Sequence, residues 1–237
     1  MNRNPARQTA LSVCVAVMAV AGCSATDRKV SGTASAPVDA ATPTTSTSAA
    51  VRLVDPATLP PLLGSPGDVA GIVGVDMRPG PIFKQPFRGL FTEPSACEDA
   101  VMPGQASSIY YSRNGFAAQF LDGAAPHVRA LQVVASYPSA DDADVARTVA
   151  ASSWSFCQDK VVTLTIDNDV AVQKTGRIET RDSIMSIPVT PTDGNTVVGC
   201  QRAFTAKRNV VIDVRVCAPN VGDMGRQLVS KIAAKLP

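Results

Sequence analysis

The chain has 237 residues, 18% of them charged, with 22 Lys and Arg against 20 Asp and Glu and a formal charge of +2. So even a balance argues against the basic footprint of a nucleic-acid binder and against a polybasic membrane patch. One His and six widely spaced Cys leave little material for a His-built metal centre or catalytic triad.

Residues 1–22 have the pattern of an export signal. Arg3 and Arg7 form a positive start, and Ala10 to Ala21 is an uncharged apolar run too short to span a bilayer. It ends in Val20-Ala21-Gly22-Cys23, which resembles the lipobox of bacterial lipoproteins. Small residues before the cut suit a narrow peptidase cleft, and the Cys23 thiol would accept a diacylglyceryl group. The competing reading is an ordinary secretory signal cut after Ala19-Val20-Ala21. Two acyl chains anchor a protein stably, at about 0.8 kcal/mol per buried methylene, so Cys23 is the expected attachment to the membrane. Loss of Arg3 and Arg7 with the signal takes the 22 basic residues to 20, which equals the acidic count.

From Cys23 to Val51 the chain is Ser, Thr, Ala and Pro with few charges, including Ala41-Thr42-Pro43-Thr44-Thr45-Ser46-Thr47-Ser48. Nothing in it can bury a core, so it is expected to be a disordered tether with a reach of roughly 30 Å. The Thr/Pro cluster also suits O-glycosylation.

Residues 52–237 have the pattern of an α+β domain. Ser65-Pro66-Gly67-Asp68 predicts a capped helix start, and Pro94 to Val101 a short helical piece carrying Cys97. Val128 to Ser136 is β-branched and apolar, hence a strand. Ser139-Ala140-Asp141-Asp142 caps a longer helix whose stripe is Ala146, Ala150, Trp154 and Cys157, beside Val145 and Val149. Lys160–Ile166, Val170–Lys174 and Ser183–Val189 are predicted strands. Met224, Leu228, Ile232 and Leu236 define a last amphipathic helix, with Lys231 and Lys235 at the end that favours cations.

Between these lies a hairpin. Gly199–Lys207 and Val210–Cys217 are strand-like and joined by Arg208-Asn209, where Asn tolerates positive φ. A two-residue loop sets Lys207 opposite Val210, and the same count sets Cys200 opposite Cys217 in a non-hydrogen-bonded pair. There the Cα atoms approach to about 4.5 Å, within disulfide range. In this register Val210, Ile212, Val214 and Val216 share the expected core face with Ala203 and Thr205. Arg202, Phe204, Asp213 and Arg215 fall on the face of the disulfide. Cys97 and Cys157 then pair by elimination in an exported, oxidising setting. The two loops so closed contribute about 3 and 4 kcal/mol in the chain-entropy model. Zinc held by the four thiols is the rival reading, and no Cys-x-x-Cys spacing supports it.

Trp154-x-x-Cys157, Cys200-Gln201-Arg202-Ala203, Arg208 to Cys217 and the terminal Ile232-Ala233-Ala234-Lys235 resemble the PknH-like extracellular sensor domain. The resemblance runs from about Val54 to Pro237. That family occurs on a mycobacterial transmembrane Ser/Thr kinase and, apart from any kinase, in mycobacterial lipoproteins. The resemblance implies a twisted antiparallel sheet flanked by helices, two disulfides paired as above, and a cleft for an unidentified ligand. The 237 residues contain no Gly-rich loop, His-Arg-Asp or Asp-Phe-Gly set, so signalling would pass through a partner.

Trp154, Arg202, Asp213 and Arg215 form the candidate ligand-binding set. Against this stand a weak strand-surface ion pair for Asp213 with the arginines and simple core packing for Trp154. His127 is expected in a solvated loop, and Asp141, Asp142 and Asp144 at a favourable helix N-terminus rather than around a metal. Lys174, Arg177, Glu179, Arg181 and Asp182 are expected to be solvated surface. No Gly-x-Ser-x-Gly motif occurs, so no catalytic residue is assigned and no cofactor is expected. The expected protein is a lipid-anchored extracytoplasmic lipoprotein that binds an envelope ligand or protein partner and no nucleic acid. The competitors are a cell-envelope hydrolase working through carboxylates or His127, and a purely structural surface lipoprotein.

Overall fold

The computed structural model describes residues 52–192 and 198–237. The export signal of residues 1–22, the Cys23 attachment site and the tether through residue 51 lie outside the described residues. In chain order the elements are α1 (Pro66–Val73), β1 (Met77–Phe83), β2 (Leu90–Glu93), α2 (Glu98–Val101), β3 (Gly115–Gly123), β4 (Arg129–Ser136) and α3 (Ala140–Phe156). They are followed by β5 (Val161–Ile166), β6 (Asp169–Thr175), β7 (Glu179–Arg181), β8 (Ile184–Pro191), β9 (Val198–Lys207), β10 (Val210–Pro219) and α4 (Met224–Ala234).

The strands make one antiparallel sheet in the order β1-β3-β4-β10-β9-β8-β6-β5-β2, with β7 paired to β8 off this path. The sheet curls into a half-barrel. Strand β8 pairs with β9 along one edge through Met185 to Val189, and along its other edge with β7 through Ile184 to Ser186 and then with β6 through Val189 to Pro191. Between β6 and β7, Gly176 donates its N–H to the Pro188 carbonyl at 2.8 Å. A Cβ there would lie 2.6 Å from Pro188 Cγ, so the close approach requires glycine.

The hairpin register is as counted from the sequence: Val210 faces Lys207 and Cys217 faces Cys200. Cys200 and Cys217 are bonded with Cα atoms 4.0 Å apart, and Cys97 and Cys157 are bonded with Cα atoms 5.5 Å apart. The turn differs in detail. Arg208, not Asn209, takes the positive φ, at 55°. The Asn209 side chain is instead a buried clamp. Its Oδ1 accepts from Val54 N at 2.8 Å, and its Nδ2 donates to the carbonyls of Val54 and Tyr137 at 3.1 and 2.9 Å.

Both faces of the hairpin are core, where one was expected. Val210, Ile212, Val214 and Val216 pack with Leu228, Val229 and Ile232 of α4 and with Val69 of α1. Val211 and Phe204 pack on the opposite face with Ala146, Ala150 and Trp154 of α3 and with the Cys97–Cys157 bridge. The predicted stripe of α3 is buried as a unit, while Val145 turns 61% exposed to solvent.

Helix α1 begins with the expected capping box: Ser65 Oγ accepts from Asp68 N, and Asp68 Oδ2 accepts from Ser65 N at 3.0 Å. Lys235 reaches across from the end of α4, 3.3 Å from Asp68 Oδ2, and donates to the Leu63 carbonyl at 2.6 Å. Its charge therefore serves the junction of α1 and α4, beyond the expected interaction with its own helix end. Strands β1, β2 and β3 were not predicted, and β7 falls in the charged stretch read as a solvated loop or strand edge. Strand β3 is alanine-rich and its middle is buried, so no alternation marks it. Strand β1 carries Pro79 and Pro81, which read as loop, and occupies a sheet edge, where a missing N–H is tolerated.

Candidate functional site

The hairpin's disulfide face carries three of the four candidate residues, Trp154 of α3 packs against it, and the fold sorts the four into two settings. Arg202, Asp213 and Trp154 lie together inside the domain, 0%, 1% and 0% exposed. Arg202 Nη2 is 2.9 Å from Asp213 Oδ1 and 3.1 Å from Oδ2, and it donates to the Asp99 carbonyl at 2.9 Å. Tyr110 donates its hydroxyl hydrogen to Asp213 Oδ2 at 2.5 Å and accepts from Gly104 N at 3.2 Å. The Arg202 guanidinium lies 5.2 Å from the Trp154 ring, whose Nε1 donates to the Asp99 carbonyl at 2.8 Å.

The expectation of a strand-surface ion pair is therefore wrong. Helices α2 and α3 close over this face, so the charges sit in the core. The core placement of Trp154 is as expected. Burial pushes the Asp213 carboxyl above its ordinary range, and the opposing pull of Arg202 and the Tyr110 hydroxyl does not cancel it. Burial and the neighbouring carboxyl likewise raise the Tyr110 phenol, which stays protonated and donates.

Arg215 is placed differently. It faces Arg202 directly across the hairpin and is 7% exposed, yet it lines a cavity of about 550 Å³ in the hollow of the curled sheet. Strands β3, β4 and β10 form one wall of this cavity, and β2, β5 and β6 form the other. Leu90, Leu131 and Leu164 are buried parts of its lining, with Met102 and Phe120 half-buried beside them. Arg88, Arg129 and Asp169 bring exposed charge to the lining, and Asp169 is the one carboxylate there among the described residues. Trp154, Arg202 and Asp213 do not line the cavity.

Gly104, with φ 74°, shapes the adjoining loop. Its carbonyl accepts from Phe87 N at 2.8 Å, and a Cβ there would crowd the Phe87 ring at 3.1 Å. The apolar lining went unnoticed in the sequence because it is gathered from six strands. Within one strand the lining shows only as the spacing of Leu164 and Ile166 in β5.

His127 is an exposed loop residue with φ 64°, on a separate shallow hollow beside the Cys200–Cys217 bridge. Asp142 belongs to the cap of α3, where its Oδ2 accepts from Ser139 Oγ at 2.6 Å. Arg181 and Glu179 are surface residues as expected, but they join a network with Asp223 and the largely buried Arg226 of α4.

A domain that carries two disulfides, one across a hairpin and one between the start of α2 and the end of α3, is suited to an oxidising compartment. The family model for the PknH-like extracellular domain matches residues 54–235, and the chain belongs to that family. The serine/threonine-protein kinases PknH of Mycobacterium bovis and Mycobacterium tuberculosis are each 31% identical to it over 106 residues, 44% of this chain. The match spans 17% of the length of those kinases. The crystal structure of the extracellular domain of PknH from Mycobacterium tuberculosis has the same fold, with a TM-score of 0.73 and 22% identity. That likeness covers 78% of this chain and 97% of the other.

Proposed function

We propose that this chain is a membrane-anchored, extracytoplasmic binding protein whose domain takes a ligand in the cavity of the curled sheet and performs no chemistry on it. Membership in a family of extracellular domains supports the location. The observation that carries the binding role is the cavity itself: about 550 Å³, with an apolar lining and a few polar groups, within the usual size of a small-molecule site. A hydrolase of the two-carboxylate type needs a second acid facing Asp169, and the described lining supplies none. Cys23 is the proposed anchor, since a diacylglyceryl group holds a domain to a bilayer without a transmembrane helix.

The neutral dye Nile red tests the cavity. Its emission should rise saturably, at one site per chain, and the rise should be lost in Ala171→Trp, which places an indole in the cavity lining. Binding unaffected by Ala171→Trp, or no binding, would overturn the role. Mass spectrometry of the membrane fraction tests the anchor: the N-terminal peptide should begin at Cys23 and carry acyl mass. An unmodified, freely secreted chain would refute it.

A further inference from the structure

Arg215 is a buried cation without a countercharge. Its Nη1 donates to the Val101 carbonyl at 2.8 Å, its Nη2 donates to Gln173 Oε1 at 3.0 Å and lies 3.2 Å from Cys200 Sγ, and its buried Nε has no acceptor among the described residues. Among the described residues no carboxylate oxygen lies within salt-bridge distance of it, whereas Arg202 opposite is committed to Asp213. The nearest charge felt by Arg215 is thus another guanidinium. Burial, followed by Arg202, lowers its pKa to about 10, still well above neutrality, so the charge is kept. A buried guanidinium supported only by neutral acceptors is costly, and an anion able to approach it would offset that cost. The room is there, because the same residue lines the cavity.

We propose that the cavity binds an amphiphilic anion, with its apolar chain among Leu90, Leu131, Leu164 and Phe120 and its carboxylate or phosphate oxygens on Arg215. This rests on the cavity being a binding site. It adds the class of ligand. Arg215 brings a guanidinium to the cavity lining, the group with which carboxylate and phosphate oxygens form charge-assisted hydrogen bonds. Arg129 is paired with Asp122 at 2.6 Å and Arg88 is matched in number by Asp169, so the positive charge left over in the lining is that of Arg215.

Displacement of Nile red from the full secreted chain, carrying Cys23→Ser so that no detergent is needed, tests this. The displacers are dodecanoate, dodecyl phosphate, dodecanol and dodecyltrimethylammonium, each below its micelle-forming concentration. The two anions should displace the dye at about tenfold lower concentration than dodecanol, the usual worth of a hydrogen bond to a charged group, and the ammonium should be weakest. The order of dodecanoate and dodecyl phosphate tells which head group fits. Arg215→Gln should erase the preference for anions over dodecanol while Nile red still binds, and Arg215→Lys should keep part of it. If the Gln variant does not fold, the wild-type series decides alone. Equal displacement by dodecanol and dodecanoate, or preference for the ammonium, would overturn the anionic assignment and leave the cavity as a binding site. A dye that never binds would overturn the binding role, and this inference with it.

Discussion

Asp213 and Asp122 show how far burial changes the meaning of the same kind of contact. Asp122 pairs with Arg129 at 2.6 Å with both side chains more than half exposed, so water and salt already screen both charges. Asp213 pairs with Arg202 at 2.9 Å with both side chains out of water. Removing the Asp213 charge leaves Arg202 ionised in the core with Trp154 and a backbone carbonyl as its only support. Asp213→Asn should therefore cost about 3–5 kcal/mol in urea unfolding, whereas Asp122→Asn should change stability by about 1 kcal/mol or less. Similar losses in the two variants would mean that the central pair is solvated. The sequence placed Asp213 on the correct hairpin face, since alternation follows from the register. It did not tell that this face is covered, because the cover comes from α2 and α3, far away in the chain.

At the scale of elements, the junction of α1 with α4 is held by one carboxylate that serves three partners, Ser65, Lys235 and, at 3.8 Å, Lys231. Asp68 accepts from the backbone N–H of Ser65 and pairs with Lys235, and these contacts lower its carboxyl pKa to about 2, the Ser65 bonds first. The folded pKa lies below the ordinary value of 3.8, so the stabilisation is present above about pH 4 and is lost as the pH falls through about 2. Asp68→Asn should cost about 1 kcal/mol at neutral pH, the usual worth of an N-cap contact at a partly exposed site. Unfolding followed at pH 7, 4 and 2 should show the gap to wild type constant down to about 4 and closing below it. A gap that widens on acidification would contradict the assignment. The capping box was legible because both partners lie within four residues. The Lys235 contact was not, since 167 positions separate it from Asp68 and no local rule links them.

Among the described residues, ten strands are ordered so that neighbours in space are often distant in the chain. Strand β4 joins β10, and β2 returns to pair with β5. The curl brings β2, β5 and β6 opposite β3, β4 and β10, and the cavity exists only as a consequence of that return. The hairpin at the centre contributes to both: one face anchors α4, and the other supplies Arg202 and Asp213 to the core and Arg215 to the cavity.

Properties set by neighbours a few residues apart were readable from the order of amino acids: the α3 stripe, the helix caps, the hairpin register and, through it, the Cys200–Cys217 bond. Period and turn length act over short separations, so they leave a mark in the chain itself. Solvent access is different. Whether Arg202 meets water, whether Trp154 floors a hollow or fills the core, and which arginine is left without an acid depend on segments that fold over from elsewhere. Burial is a property of the assembled layers, and it was their closure that separated the buried ion pair from the cation facing the cavity.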